Sequence, residues 1–143
     1  MEVAYSWFNS NNLEVNTNKT ESICFTLKKN VKENCSKPVK LLGVVFDQKL
    51  SWEAHTNTVI SKLSRACFLL RKLKSCVGGD MMLISYFSEF HSHLLYAAML
   101  WGNSKGASQV FTWQRKALRI LANLAYQDDC KQCFIDFNIM TVP

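Results

Sequence analysis

The spacing of apolar positions changes character along the chain. From Glu2 to Ser10, Val3, Trp7 and Phe8 recur near helical spacing, which predicts a short amphipathic helix. Asn9, Asn11 and Asn12 end it, because their side chains compete for backbone hydrogen bonds. Ser22 to Leu27 alternates, with Ile23, Phe25 and Leu27 on one side, the pattern of a half-buried strand. Lys28 to Pro38 is polar and reads as a loop. Val39 to Phe46 is almost wholly apolar and predicts a strand buried on both faces. Gly43 inside it marks either a bulge or a close approach by another backbone.

After Asp47 the period lengthens to that of a helix. Ser51 suits an N-cap, and Glu53 suits the positive end of a helix dipole. Val59, Leu63, Ala66, Cys67, Leu70 and Leu73 then form one apolar stripe. Gly78 and Gly79 stop that helix, and Asp80 caps a second one running to about Trp101. Gly102 to Gly106 is a turn. The next helix, Ala107 to Leu124, turns Val110, Phe111, Ala117, Leu118, Leu121 and Leu124 inward. A last short helix begins at Asp128 or Asp129. The class is α+β: residues 1–50 hold a helix and two strands, and residues 51–143 hold three or four helices. Two strands alone make a poor sheet with open edges. Trp7, Val39 and Val45 are therefore expected to be partly exposed, as in a piece of a larger fold.

Charge sharpens the picture. Lys and Arg number 17 against 11 Asp and Glu, a surplus of +6 that favours a polyanionic partner. With 48% apolar and 20% charged residues the balance is that of a folded protein. The N-terminus has no basic stretch leading into an apolar one, so a secretory leader is not visible. The most apolar long stretch, Met81 to Trp101, carries Glu89, His91 and His93, which are expensive in hydrocarbon, so no membrane span is expected. Six cysteines without a secretory leader read as reduced, buried thiols in an intracellular protein of the nucleus or cytoplasm.

The cations are clustered. Lys62, Arg65, Arg71, Lys72 and Lys74 follow one another with no acid between them, and Lys62, Arg65 and Lys72 project on one side beside the apolar stripe. Arg115, Lys116 and Arg119 form a second cluster. Such helices track phosphates and release counterions without reading sequence; the plainer reading is a solvated face with snorkelling stems. Trp7, Trp52, Trp101 and Trp113 can stack bases, although large aromatics at apolar helix positions are more often core. Cys130-x-x-Cys133 supplies two of the four ligands a structural zinc needs. His91 and His93, two positions apart on a helix, point to different faces and do not complete it.

Five ordered segments carry a family resemblance. Trp7-Phe8, Asn11, Leu13, Asn16 and Lys19-Thr20 resemble the segment that follows the catalytic carboxylate hairpin in reverse transcriptases of non-LTR retrotransposons, of the jockey-like LINE type. Lys40 to Val44, Asp47, Leu50-Ser51-Trp52 and His55 are similar to that family's primer grip and its lead into the thumb. Phe90 to Tyr96 with Trp101 to Ser104, Gln114 to Ile120, and Cys130, Phe134, Ile139, Thr141 and Pro143 resemble three later segments in the same order. Departures are mild: Ala97 stands where the family has glycine, and Leu41 where it has phenylalanine.

The resemblance implies a C-terminal palm remnant, residues 1–50, followed by a helical thumb-like region, residues 51–143. The parent activity is RNA-directed DNA polymerisation, in which clustered carboxylates hold two Mg²⁺ ions. In the family those carboxylates precede the first resembling segment, so this chain is expected to bind no cofactor, take no small-molecule substrate and not polymerise alone. Its implied partner is an RNA/DNA template–primer duplex, held weakly and without sequence preference through Lys62, Arg65, Lys72, Arg115, Lys116 and Arg119. Lys19 would serve as a general acid toward pyrophosphate in the intact enzyme only. Leu42 and Gly43 stand where the primer backbone is approached, and glycine leaves room for that approach. Tyr126-Gln127-Asp128-Asp129 spells the aromatic-x-Asp-Asp pattern in the wrong place, without flanking apolar strands, and reads as a helix N-terminus. Two other classes stay open: a decayed, non-catalytic small basic binding or structural protein, and a CxxC metal-binding protein.

Overall fold

The computed structural model describes residues 2–26 and 37–141. The expected loop at 28–38 lies mostly outside those residues, as do Leu27, Cys35 and Pro143. Helix α1, Glu2–Ser10, is followed by a single 3₁₀ turn, Thr17–Lys19. Strands β1, Val39–Leu41, and β2, Val44–Phe46, form an antiparallel two-stranded sheet in which Val39 faces Phe46 and Leu41 faces Val44. Then come α2, Glu53–Leu73; α3, Gly79–Ser85; a π-helical turn, Tyr86–His91; α4, Ser92–Leu95; α5, Ala98–Trp101; α6, Ala107–Leu121; and α7, Lys131–Asp136. The chain is α+β, with a mainly helical C-terminal part.

Several sequence expectations are corrected. Val39 to Phe46 is not one strand but a hairpin folded on itself. Leu42 (φ 48°) and Gly43 (φ 83°) both take left-handed backbone, which is what a two-residue hairpin turn requires. Only Val44 of its apolar run is buried, so the strands are not covered on both faces. Residues 22–26 form no strand; one bond, Thr26 N–H to Gln48 O at 3.1 Å, ties them beside β2. Alternation there set out a face but supplied no partner to pair with. The long helix expected from Asp80 to Trp101 is interrupted twice, by the π turn and by Ala97, whose left-handed φ of 54° separates α4 from α5. Gly78, not Asp80, occupies the N-cap of α3. The last helix starts at Lys131, a little later than expected.

The core is built by the stripe on α2. Val59, Leu63, Ala66, Cys67 and Leu70 are buried against Val110, Ala117 and Leu118 of α6 and against Tyr86, Phe90, Leu94 and Trp101. Each fully buried large side chain contributes about 1.5–3 kcal/mol of transfer free energy. Leu73, Leu121 and Leu124 are only half-buried, at the margin of this cluster, and Phe111 is half-buried against Phe134. Helices α2 and α6 run side by side in the same direction: Thr56 meets Gly106 at one end, and Arg71 and Lys74 meet Lys116 and Arg119 at the other. Buried Gln114 donates from Nε2 to Met140 O at 2.7 Å and ties the C-terminal segment to α6.

Three helices end on asparagine. Asn12, Asn123 and Asn138 are left-handed, with φ 54°, 58° and 50°. The next residue in each case bonds back across the last turn: Leu13 N–H to Phe8 O, Leu124 N–H to Arg119 O, and Ile139 N–H to Phe134 O. This satisfies carbonyls the helix leaves open, with asparagine in the place glycine most often takes. The expected exposure is found: Trp7 is 58% exposed, and Val39 and Val45 are half-buried. Among the described residues no helix is long and apolar enough to cross a membrane.

Candidate nucleic-acid interface

The loop after β2 sets up the first part of the site. Asp47 accepts from Ser51 N–H at 2.9 Å and Trp52 N–H at 3.0 Å, which curls the chain so that Leu50 and Trp52 take left-handed backbone. Burial pushes the Asp47 carboxyl up, but the amides of Ser51 and Trp52 outweigh it and hold it below its ordinary value. Trp52, rather than Ser51, is the residue at the α2 N-cap; the Ser51 hydroxyl instead accepts from Glu53 N–H at 3.4 Å.

That curl delivers His55 to the centre of a cluster. Its ring is buried, with Trp52 at 6.4 Å and Trp101 at 6.0 Å between centroids. His55 Nδ1 accepts from Val45 N–H at 3.3 Å, locking the hairpin to α2. Burial, then Lys62, pushes His55 below its ordinary value, which favours the neutral ring whose Nδ1 accepts from Val45. Trp101 Nε1 donates to Tyr96 O at 3.0 Å, and the Tyr96 hydroxyl donates to Leu42 O. A Cβ on Gly43 would lie 3.6 Å from the Tyr96 ring, an ordinary contact, so its left-handed φ and not crowding calls for glycine. Leu42 beside it is 83% exposed.

The cations divide into two faces. Lys62 and Arg65 border a hollow of about 350 Å³ with Glu89 and His93, and Lys72 lies over the Phe68 ring at 5.6 Å. On the other flank of the α2 stripe, Arg71 and Lys74 share a groove of about 260 Å³ with Lys116 and Arg119 of α6. Lys116 also stands over Trp113, with Nζ 4.2 Å from the ring centre. Arg115 lines neither. Sequence reasoning placed Lys62, Arg65 and Lys72 together and left Arg71 and Lys74 out of the site. Helical spacing sets position 71 beyond the stripe from 62 and 65 but puts 74 in line with the stripe, so the second pair shows itself only where α6 lies beside α2.

Other candidates are accounted for by local structure. Lys19 is exposed in the 3₁₀ turn, whose amides at Asn18 and Lys19 donate to Asn16 Oδ1 at 3.1 and 3.2 Å. Asp128 accepts from Ala125 N–H at 2.7 Å and Asp129 from Lys131 N–H at 3.1 Å, so both acids serve the turn into α7. Cys67, Cys130 and Cys133 are buried thiols; burial pushes Cys67 up to about 11 and also raises Cys133. These pack as apolar groups. Cys24 and Cys76 are exposed free thiols, against the expectation that all would be buried. His91 sits against Tyr86 and Phe87, away from His93. Among the described residues no group of three or more His, Cys, Asp or Glu is placed to hold a metal ion.

No family model, no curated protein and no solved structure matches the chain.

Proposed function

We propose that this chain is part of a non-LTR retrotransposon reverse transcriptase, an RNA-directed DNA polymerase, and that its helical region holds a template–primer duplex through phosphate contacts. The observation that carries the reading is the convergence of its resembling segments. Asp47, Trp52 and His55, from one segment, pack or bond with the hairpin and with Trp101 from another, and Tyr96 closes onto Leu42. Ala97 stands where the family has glycine, and its backbone is left-handed, the conformation glycine takes most easily. The cations add to this: Lys62 and Arg65 border one hollow, and Lys116 and Arg119 line one groove, placements suited to displacing counterions along a phosphate backbone.

Leu42 and Gly43 form the hairpin tip that would approach the primer, and Lys19 belongs to chemistry of the intact enzyme with Mg²⁺. An intracellular setting, nucleus or cytoplasm, goes with this reading. The test is fluorescence anisotropy with a blunt RNA–DNA hybrid across a salt series. Affinity falls steeply with salt, and Lys62→Gln with Arg65→Gln reduces the log–log slope by about 2. Absence of binding at low salt favours the decayed, packing-only protein. Magnesium-dependent primer extension that is lost on Asp128→Asn overturns the reading of the Tyr126–Asp129 turn as purely structural.

A further inference from the structure

Where α2 and α6 end together, four cations line one groove with an apolar floor and an aromatic edge. Arg71 on α2 and Lys74 at its C-cap stand one turn apart, and Lys116 and Arg119 one turn apart on α6. Ile120 and Leu124 form the floor, and Tyr126, 74% exposed, stands at the rim. Among the described residues no carboxylate lines the groove. Asp128, two residues beyond Tyr126, is engaged locally: its carboxylate accepts from Ala125 N–H at 2.7 Å, while its backbone oxygen receives Arg119 Nε at 2.9 Å. That second bond anchors the guanidinium at the groove without neutralising it. The cations are also partly compensated by the negative ends of the two helix dipoles, which lets four like charges gather at this end of the pair.

We infer that this groove binds a single nucleic-acid strand, its phosphates on the cation quartet and a base stacked on Tyr126. The inference rests on the duplex reading above and narrows it. A duplex offers phosphates but keeps its base faces stacked inside, where Tyr126 cannot reach them. A single strand offers both, and a basic channel with one stacking aromatic is the combination that holds it. The apolar floor suits the sugar and base better than it suits a hydrated phosphate alone. The groove is therefore the seat of the unpaired strand that leaves a template–primer duplex, while Lys62 and Arg65 border a separate hollow for the paired part.

The test compares a labelled blunt RNA–DNA hybrid with the same hybrid carrying a single-stranded DNA extension, by anisotropy at one salt concentration. The extension tightens binding about tenfold. Tyr126→Ala removes that gain and leaves blunt-hybrid affinity within about twofold, while Tyr126→Trp keeps the gain. Arg71→Gln with Lys74→Gln lowers the salt slope for the extended probe by about 1.5 more than for the blunt one. Equal affinity for both probes, or a gain that survives Tyr126→Ala, overturns the single-strand groove while the duplex reading stands. Lack of salt-sensitive binding to either probe overturns both.

Discussion

Gly106→Ala tests the packing on which the parallel α2–α6 pair depends. Gly106 has ordinary helical backbone, φ −76° and ψ −14°, so alanine is conformationally acceptable there. A more restricted unfolded chain would by itself stabilise the variant by about 0.4–1 kcal/mol. The added methyl, however, falls 2.8 Å from Thr56 Cβ and 3.0 Å from Cγ2, with Oγ1 closer still. Carbon atoms want about 3.5–4.0 Å, so one helix must move by close to an ångström. Thr56 cannot swing aside cheaply. It is 2% exposed, β-branched, and its hydroxyl is bonded to Trp52 O at 3.0 Å and Glu53 O at 3.1 Å. Overpacking of this kind costs about 1–3 kcal/mol, leaving a net loss of about 1–2 kcal/mol. Urea unfolding followed by tryptophan fluorescence reads it as a lower midpoint at unchanged slope. Thr56→Ala removes two of the three clashing atoms, so the penalty shrinks in that background and the double-mutant cycle shows coupling of about 1 kcal/mol. A Gly106→Ala protein as stable as the parent, or one equally penalised beside Thr56→Ala, refutes the contact.

Other variants probe local features. Burial pushes His55 and His91 below their ordinary value, so the unfolded chain takes up protons that the folded one resists. Their contribution is fully present above about pH 6.5 and is lost as pH falls below it; His55→Asn makes the stability–pH curve shallower there, and an unchanged curve contradicts the burial argument. Asp47→Ala, which strips two amides of their acceptor, lowers stability by about 1–2 kcal/mol at pH 7 in the same urea assay, and by less in acid where the parent carboxyl is protonated. Asn138→Ala costs about 1 kcal/mol because alanine resists left-handed backbone, whereas Asn138→Gly is neutral or better; equal loss from both would show that the asparagine side chain, not the backbone, matters.

What the sequence made legible follows the strength of the local signal. The α2 stripe repeats over about four turns, and its inner face at Val59, Leu63, Ala66, Cys67 and Leu70 is buried as read. The apolar run at Val39–Phe46 misled, because a hairpin turn made of Leu42 and Gly43 lacks the Asn-Gly signature that usually marks one. The π turn at Tyr86–His91 leaves no trace in a pattern scored at helical period. His55 was visible only as one member of a resembling segment; its burial comes from Asp47 curling the chain, a contact no periodicity encodes. The cation clusters were legible, but their sorting onto two flanks depends on α6 lying beside α2.

The direction of α6 relative to α2 bears on how the protein is made. Neighbouring helices in sequence usually meet as antiparallel hairpins, whose contacts close short loops. In this chain the partner of Thr56 is Gly106, so the stretch between Leu73 and Ala107 must return along the bundle before the two helices can zip. During synthesis the π turn and α4 can cover part of the oily face of α2, but the part that α6 covers stays open until α6 has left the ribosome, and a nascent chain stalled before Ala107 is the species that chaperones would recognise.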